Sequence, residues 1–269
     1  MKIRAGFEIS FDCPTPIPML LMLNLHPSRE PDLLTESRLM LDPPVPVTHY
    51  IDGFGNCCSR IVAMPGRQTM RSDFLIRDYG DPDVQPHGAP QIAVEHLPTD
   101  ILVFLLGSRY CETDRLSDTA ISLFGHVEPG WSRVQAICEY VHNRITFDYQ
   151  SARPTKTAWD AFMEQRGVCR DFAHLAITFC RCMNIPARYC TGYLGDIGVP
   201  LSPDPMDFSG WFDVYLGGRW YTCDARHNHP RIGRILMARG RDATDVAITT
   251  TFGQCTLTGF TVVTDEVAS

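Results

Sequence analysis

Cys169 is the residue of this 269-residue chain best placed to act as a nucleophile. It stands in the run Arg166-Gly167-Val168-Cys169-Arg170-Asp171-Phe172, directly ahead of a strongly helical stretch. A thiol at a helix N-terminus meets unpaired backbone N–H groups and the positive end of the macrodipole, and both favour its thiolate. The same N–H groups can hold a developing oxyanion. Acyl transfer from an amide or ester needs these two things and a group that moves the proton. Arg170 supports the thiolate if its charge faces the thiol. The ordinary alternative for a free cysteine is a small buried core residue, and Gly-Val-Cys taken alone does not displace it.

The elements that must position this thiol follow from periodicity. From Cys169 to Met183, Phe172, Leu175, Ala176, Phe179 and Cys180 form a helical stripe, and Asn184-Ile185-Pro186 stops it. The spacing predicts a buried helix. Pro129-Gly130-Trp131-Ser132 opens an amphipathic helix with Val134, Ile137, Cys138, Val141 and Ile145 on one face. Another helix spans 157–165, with Gly167 as its stop. The apolar run 101–106 reads equally as a short helix or a buried strand. Segments 187–194 and 211–216 read as strands, and Gly217-Gly218 is a two-residue hairpin signal leading into 219–224. That hairpin brings Ser209, ahead of the first strand, near Asp224 at the end of the second. Segments 246–251 and 255–263 add β sequence. Over 2–94, short apolar runs alternate with Pro and Gly turn signals, which predicts an antiparallel β-region with 78–90 as its exit loop. The expected organisation is α+β, an all-β region over 1–95 and a catalytic region over 96–269.

The run from Arg166 to Phe172 resembles the active-site segment of the transglutaminase-like cysteine peptidase superfamily, in which a Gly-x-Cys opens the helix. Asp207-Phe208-Ser209-Gly210-Trp211-Phe212-Asp213-Val214-Tyr215-Leu216, Gly217-Gly218-Arg219-Trp220 and Asp224-Ala225-Arg226-His227-Asn228 resemble the family's two following strands. Tyr50-Ile51-Asp52-Gly53-Phe54-Gly55-Asn56 and Ser108-Arg109-Tyr110-Cys111-Glu112-Thr113-Asp114 resemble the N-terminal β-region and linker of its bacterial two-part members. The resemblance covers nearly the whole chain. It implies a papain-like core of helices on an antiparallel sheet, where a cysteine attacks, a strand-borne histidine carries the proton and an aspartate on the next strand orients the imidazole. Cys169 and Asp224 match the first and third positions. Ser209 stands at the histidine position, with Gly210 as the small residue after it.

A serine hydroxyl is neither an effective base near neutral pH nor a cation that could hold a thiolate. An unassisted thiol, with a pKa of about 8.5, is only a few per cent ionised at pH 7. Peptide hydrolysis suffers most from this, because an amine leaves only with a proton, and transfer from a thioester suffers least. His227 and His229 follow Asp224 closely enough to fold back, although His227 reads first as a loop hydrogen-bonder. His174 lies about 140° around the helix from Cys169 and reads as a packed histidine, as does His142. Trp211 and Trp159 are candidates for the substrate groove beside Arg170, with core packing as the plain alternative. The expected activity is cysteine-dependent acyl transfer or hydrolysis through a Cys169 acyl-enzyme, biosynthetic acyl or aminoacyl transfer included. The competing expectations are a binding protein lacking the triad, or cyclisation, elimination or condensation chemistry on the altered site.

A net charge of -7 with scattered basic residues argues against a nucleic-acid or anionic-membrane surface. The expected partner is a small-molecule, peptide or carrier-bound thioester substrate, with 195–208 as the groove rim. Eleven cysteines without paired metal spacing suggest a reduced, cytoplasmic chain, and His227-x-His229 offers only two metal ligands, so neither metal nor cofactor is expected. The first strongly apolar run, Met19 to Leu23, lacks a basic leader and is too short to span a bilayer.

Overall fold

A computed structural model describes residues 1–202 and 205–267. The alternation read in the first part of the chain becomes two antiparallel sheets, built from β1 (Lys2–Cys13), β2 (Ile17–Leu21), β3 (Met40–Asp42), β4 (Thr48–Ile51), β5 (Cys57–Ala63) and β6 (Gly66–Arg77). In β1 the side chains of Ile3, Ala5, Phe7, Ile9, Phe11 and Cys13 are buried, the period of two that a strand demands. They share a core with Met19 and Leu21 of β2 and Met70, Phe74 and Ile76 of β6.

The helical part follows as α1 (Thr113–Phe124), α2 (Trp131–Arg144), β7 (Thr146–Phe147), α3 (Ala158–Glu164), β8 (Arg166–Gly167) and α4 (Cys169–Cys182). After it come β9 (Ala187–Tyr193), β10 (Ser209–Leu216), β11 (Arg219–Cys223), β12 (Ile235–Gly240), β13 (Thr249–Thr251) and β14 (Thr256–Val267). The fold is α+β, with helices on the antiparallel sheet β11-β10-β9-β12. α4 is the central helix: every residue from Asp171 to Arg181 is buried. Phe172, Leu175, Ala176 and Phe179 meet Phe212, Val214 and Leu216 of β10 in one core, each large apolar side chain contributing about 1.5–3 kcal/mol by its burial. Arg181, buried near the helix C-terminus, donates to the carbonyls of Leu106, Ala187 and Arg241 and so ties α4 to the start of β9 and to two connecting segments.

The last strands return to the first sheets, β14 pairing along β1 and β13 pairing with β2. β1 would otherwise be an unpaired edge, and strand partners this distant leave no mark on local sequence. Segment 108–114, which resembles the family's linker, leads into α1 at Thr113, a helix whose buried residues are Leu116, Ala120 and Phe124. Gly167 does not end the preceding helix, because Gln165 supplies the left-handed residue at φ 55°. A side chain at 167 would instead strike that of Asp171 at 2.6 Å. The run 101–106 resolves as a short 3-10 helix, Leu102–Leu105.

Candidate active site

Cys169 is the first residue of α4. Asp171 closes the turn that presents it, accepting the Val168 N–H at 2.9 Å, while the Asp171 N–H donates to the Val168 carbonyl at 2.8 Å. Helical bonding thus begins at residue 171, leaving the N–H groups of Cys169 and Arg170 at the head of the helix. The half-buried thiol meets β10 directly, since the Gly210 N–H donates to Sγ at 3.4 Å. Burial pushes the Cys169 thiol up from its ordinary pKa, and Arg226 and the Gly210 N–H only partly offset this, with Asp207 and Asp224 pushing the same way as burial. Burial thus works against the thiolate that the helix terminus favours. Arg170 is turned elsewhere: its Nη2 donates to the Arg153 carbonyl at 2.7 Å.

Ser209 opens β10 and is buried, and its Oγ has no hydrogen-bond partner. Gly210 must be small, because a Cβ there would lie 2.3 Å from the Tyr189 hydroxyl on β9. The glycine pair behaves as its sequence demands, Gly217 at φ 56° and Gly218 at φ 90° forming the tight turn between β10 and β11.

Asp224 follows β11 and organises the loop after it. One carboxylate oxygen accepts the N–H groups of Arg226 and His227 at 3.0 and 3.1 Å. The other accepts His227 Nδ1 at 2.8 Å and Arg234 Nη2 at 2.9 Å. Arg234 also grips Asp83 through Nε at 2.9 Å. Burial would raise the Asp224 pKa, but Arg234 and His227 outweigh it and hold the carboxyl well below the usual range. With Nδ1–H assigned to Asp224 by this geometry, Nε2 is the lone-pair nitrogen of the neutral ring.

Cys169, Ser209, Gly210, Arg226 and His227 line one cavity of about 570 Å³. Tyr110, Tyr189, Leu194, Phe208, Ile248 and Phe260 give it apolar and aromatic walls, and Arg170, Arg231, Asp196 and Asp207 place charge around it. The rim read at 195–208 contributes through Met206, Asp207 and Phe208, while residues 203 and 204 lie outside the described residues. Trp211 and Trp159 do not border this cavity. Trp211 lies under Arg234, whose guanidinium is 5.1 Å from the ring centroid, and Trp159 lies under Arg115 at 4.2 Å. His174 is fully buried, accepts the Ala243 N–H at Nε2 and stacks on Tyr110. His142 Nδ1 lies 2.9 Å from the Arg226 carbonyl, and His229 Nδ1 lies 3.1 Å from that of Pro230. Sequence reading missed Arg226 as the cation acting on the thiol, and Tyr189 as the group that sizes residue 210. β9 is buried on both faces, so alternation could not say which way Tyr189 points.

Among the described residues no helix is long and apolar enough to cross a membrane. Residues 118–225 match the model of the transglutaminase-like superfamily. The uncharacterized protein ML0607 of Mycobacterium leprae is 37% identical over 117 residues, a match covering 42% of each chain, so that the aligned part spans well under half of that relative. A candidate cysteine protease of Cytophaga hutchinsonii, solved by crystallography, is 29% identical and superposes with a TM-score of 0.86 over 100% of this chain and 91% of that one. The periplasmic domain of TgpA from Pseudomonas aeruginosa gives a TM-score of 0.40 at 13% identity, covering 83% and 90% of the two chains.

Proposed function

We propose, for a chain whose residues 118–225 match the transglutaminase-like superfamily, cysteine-dependent acyl transfer or hydrolysis through an acyl-enzyme on Cys169. The observation that carries this reading is the placement of the thiol: it heads a buried helix, touches the first strand of the hairpin and opens into a cavity large enough for a peptide or acyl group. Sγ attacks the acyl carbon, and the thiol proton ends on the departing group. The S–C bond forms, the tetrahedral oxyanion draws on the N–H groups at the head of α4, and the leaving group departs as its bond to carbon breaks. Water or a second nucleophile then takes the acyl group.

The mixed charge of the cavity, with Arg226 and Arg231 opposite Asp196 and Asp207, fits a polar acyl donor such as a peptide or a carrier-bound thioester. The likeness to a candidate cysteine protease favours amide donors over phosphoryl or glycosyl ones. Iodoacetamide competition tests the thiol's accessibility to small electrophiles. At pH 8.5, Cys169 should be modified and protected by a peptide or thioester donor, whereas Cys57, another half-buried thiol, should react without regard to donor. Equal indifference at Cys169 would count against a substrate cavity around it.

A further inference from the structure

We propose that His227 is the group that takes the proton from Cys169, so that the role of a strand-borne histidine has moved from position 209 to the loop after β11. The inference rests on the reading of Cys169 as the acyl carrier. Three independent features lead to it. Burial disfavours the Cys169 thiolate, so attack needs a base, which the buried and unpartnered hydroxyl of Ser209 cannot supply. Asp224, the residue expected to orient an imidazole, already orients one, holding both the backbone N–H and the ring Nδ1 of His227. His227 lines the cavity that Cys169 lines, and with Nδ1 held by Asp224 its other ring nitrogen, Nε2, is the one left for a proton from the thiol.

Strand geometry accounts for how one histidine can stand in for the other. β10 and β11 pair from Leu216 and Arg219 to Phe212 and Cys223. β11 ends at Cys223 opposite Phe212, and the chain then turns, the Asn228 N–H donating to the Asp224 carbonyl. His227 therefore sits in the turn just past the end of the hairpin at which Ser209 opens β10, while the N–H of the adjacent Gly210 touches the thiol. A ring at 209 and a ring at 227 would compete for the same oxygen of Asp224, and a small serine leaves that oxygen to His227. Asp224, Arg226, His229 and Arg231 surround the ring from its own loop, Asp207 faces it from the segment before β10, and Cys169 from α4. Arg234 stands behind the carboxylate, and His142 of α2 holds the loop backbone at the Arg226 carbonyl.

In the proposed step Sγ–H gives its proton to Nε2 as the S–C bond forms, the imidazolium is stabilised by Asp224, and the proton passes to the departing group. Charge and protons balance within these three groups and the substrate. The test is the burst of p-nitrophenolate released from p-nitrophenyl acetate, followed from pH 5.5 to 9.5. His227→Asn keeps a donor for Asp224 without a basic nitrogen. It should slow acylation at pH 7 by about 10²-fold or more and replace an inflection in the histidine range by a rise that follows thiol ionisation alone. Adding Ser209→His to that variant should recover part of the rate and restore the inflection. An unchanged rate and pH profile in His227→Asn, with Cys169→Ala inactive, would overturn the role of His227 and leave the acyl-enzyme standing. A second histidine that recovered no rate would overturn the shared use of Asp224. Cys169→Ala with the full burst would overturn the underlying reading itself.

Discussion

Cys169 and Gly210 show how closely the two halves of the candidate site are fitted. The thiol takes a hydrogen bond from the Gly210 N–H, and the Tyr189 hydroxyl occupies the space that any side chain at 210 would need. Gly210→Ala should therefore destabilise the fold by about 1–3 kcal/mol through overpacking, and should also lower the acylation rate by moving the N–H away from Sγ. Thermal unfolding and the p-nitrophenyl acetate burst check the two effects separately. An alanine variant with the stability and burst of the native chain would show that neither contact constrains the site. Cys169 and Asp224 were legible in the sequence because a cysteine at a helix start and an aspartate at a hairpin end are local patterns. His227 was not legible as a cavity residue, since its direction depends on the carboxylate that turns the loop back. Arg170 was expected to support the thiolate if its charge faced the thiol; its guanidinium instead reaches the Arg153 carbonyl, while the residue still lines the cavity.

The ion pairs behind the hairpin fix where its end lies. Arg234, on the segment leading to β12, bridges Asp224 and Asp83, and all three side chains are largely buried. Removing one member of a buried charged set leaves the others uncompensated, which typically costs about 3–5 kcal/mol. Arg234→Ala should lower the urea midpoint accordingly, and with Asp224 released the burst should fall too. A midpoint within error of the native one would contradict a structural role for the bridge. The elements around this set differ in how plainly the sequence announced them. The stripe of α4 and the Gly217-Gly218 turn were plain, because each is decided by neighbours a few residues apart. α1 was obscured by having three apolar anchors among polar residues, and the short 3-10 turn at Leu102–Leu105 lies where helix and strand have no distinguishing period.

For the molecule as a whole, the pairing of β14 with β1 closes the chain on itself, and Phe260 of β14 reaches the wall of the cavity. The N-terminal sheets are in this way structurally part of the region around the site. Acid should reveal the cost of the buried histidines. Burial lowers the pKa of His26 to about 4 and that of His174 to about 3, from an ordinary value of about 6.5. Below pH ~6.5 the unfolded chain takes up protons that the folded chain refuses, so stability falls as pH drops toward those values, by about 1.4 kcal/mol per pH unit for each group. Asp224 acts in the same direction at lower pH, its stabilising contribution being present above about pH 4 and lost below it. Urea midpoints at pH 7.5, 6 and 5 should decline in that order, and a flat series would contradict neutral burial of both rings. The most direct measurement is mass spectrometry of the chain quenched early in its reaction with an acyl thioester. A single acyl group on the peptide holding Cys169, absent from Cys169→Ala, is the predicted result. An unacylated Cys169 peptide during turnover, or equal acylation of the alanine variant at another residue, would contradict it.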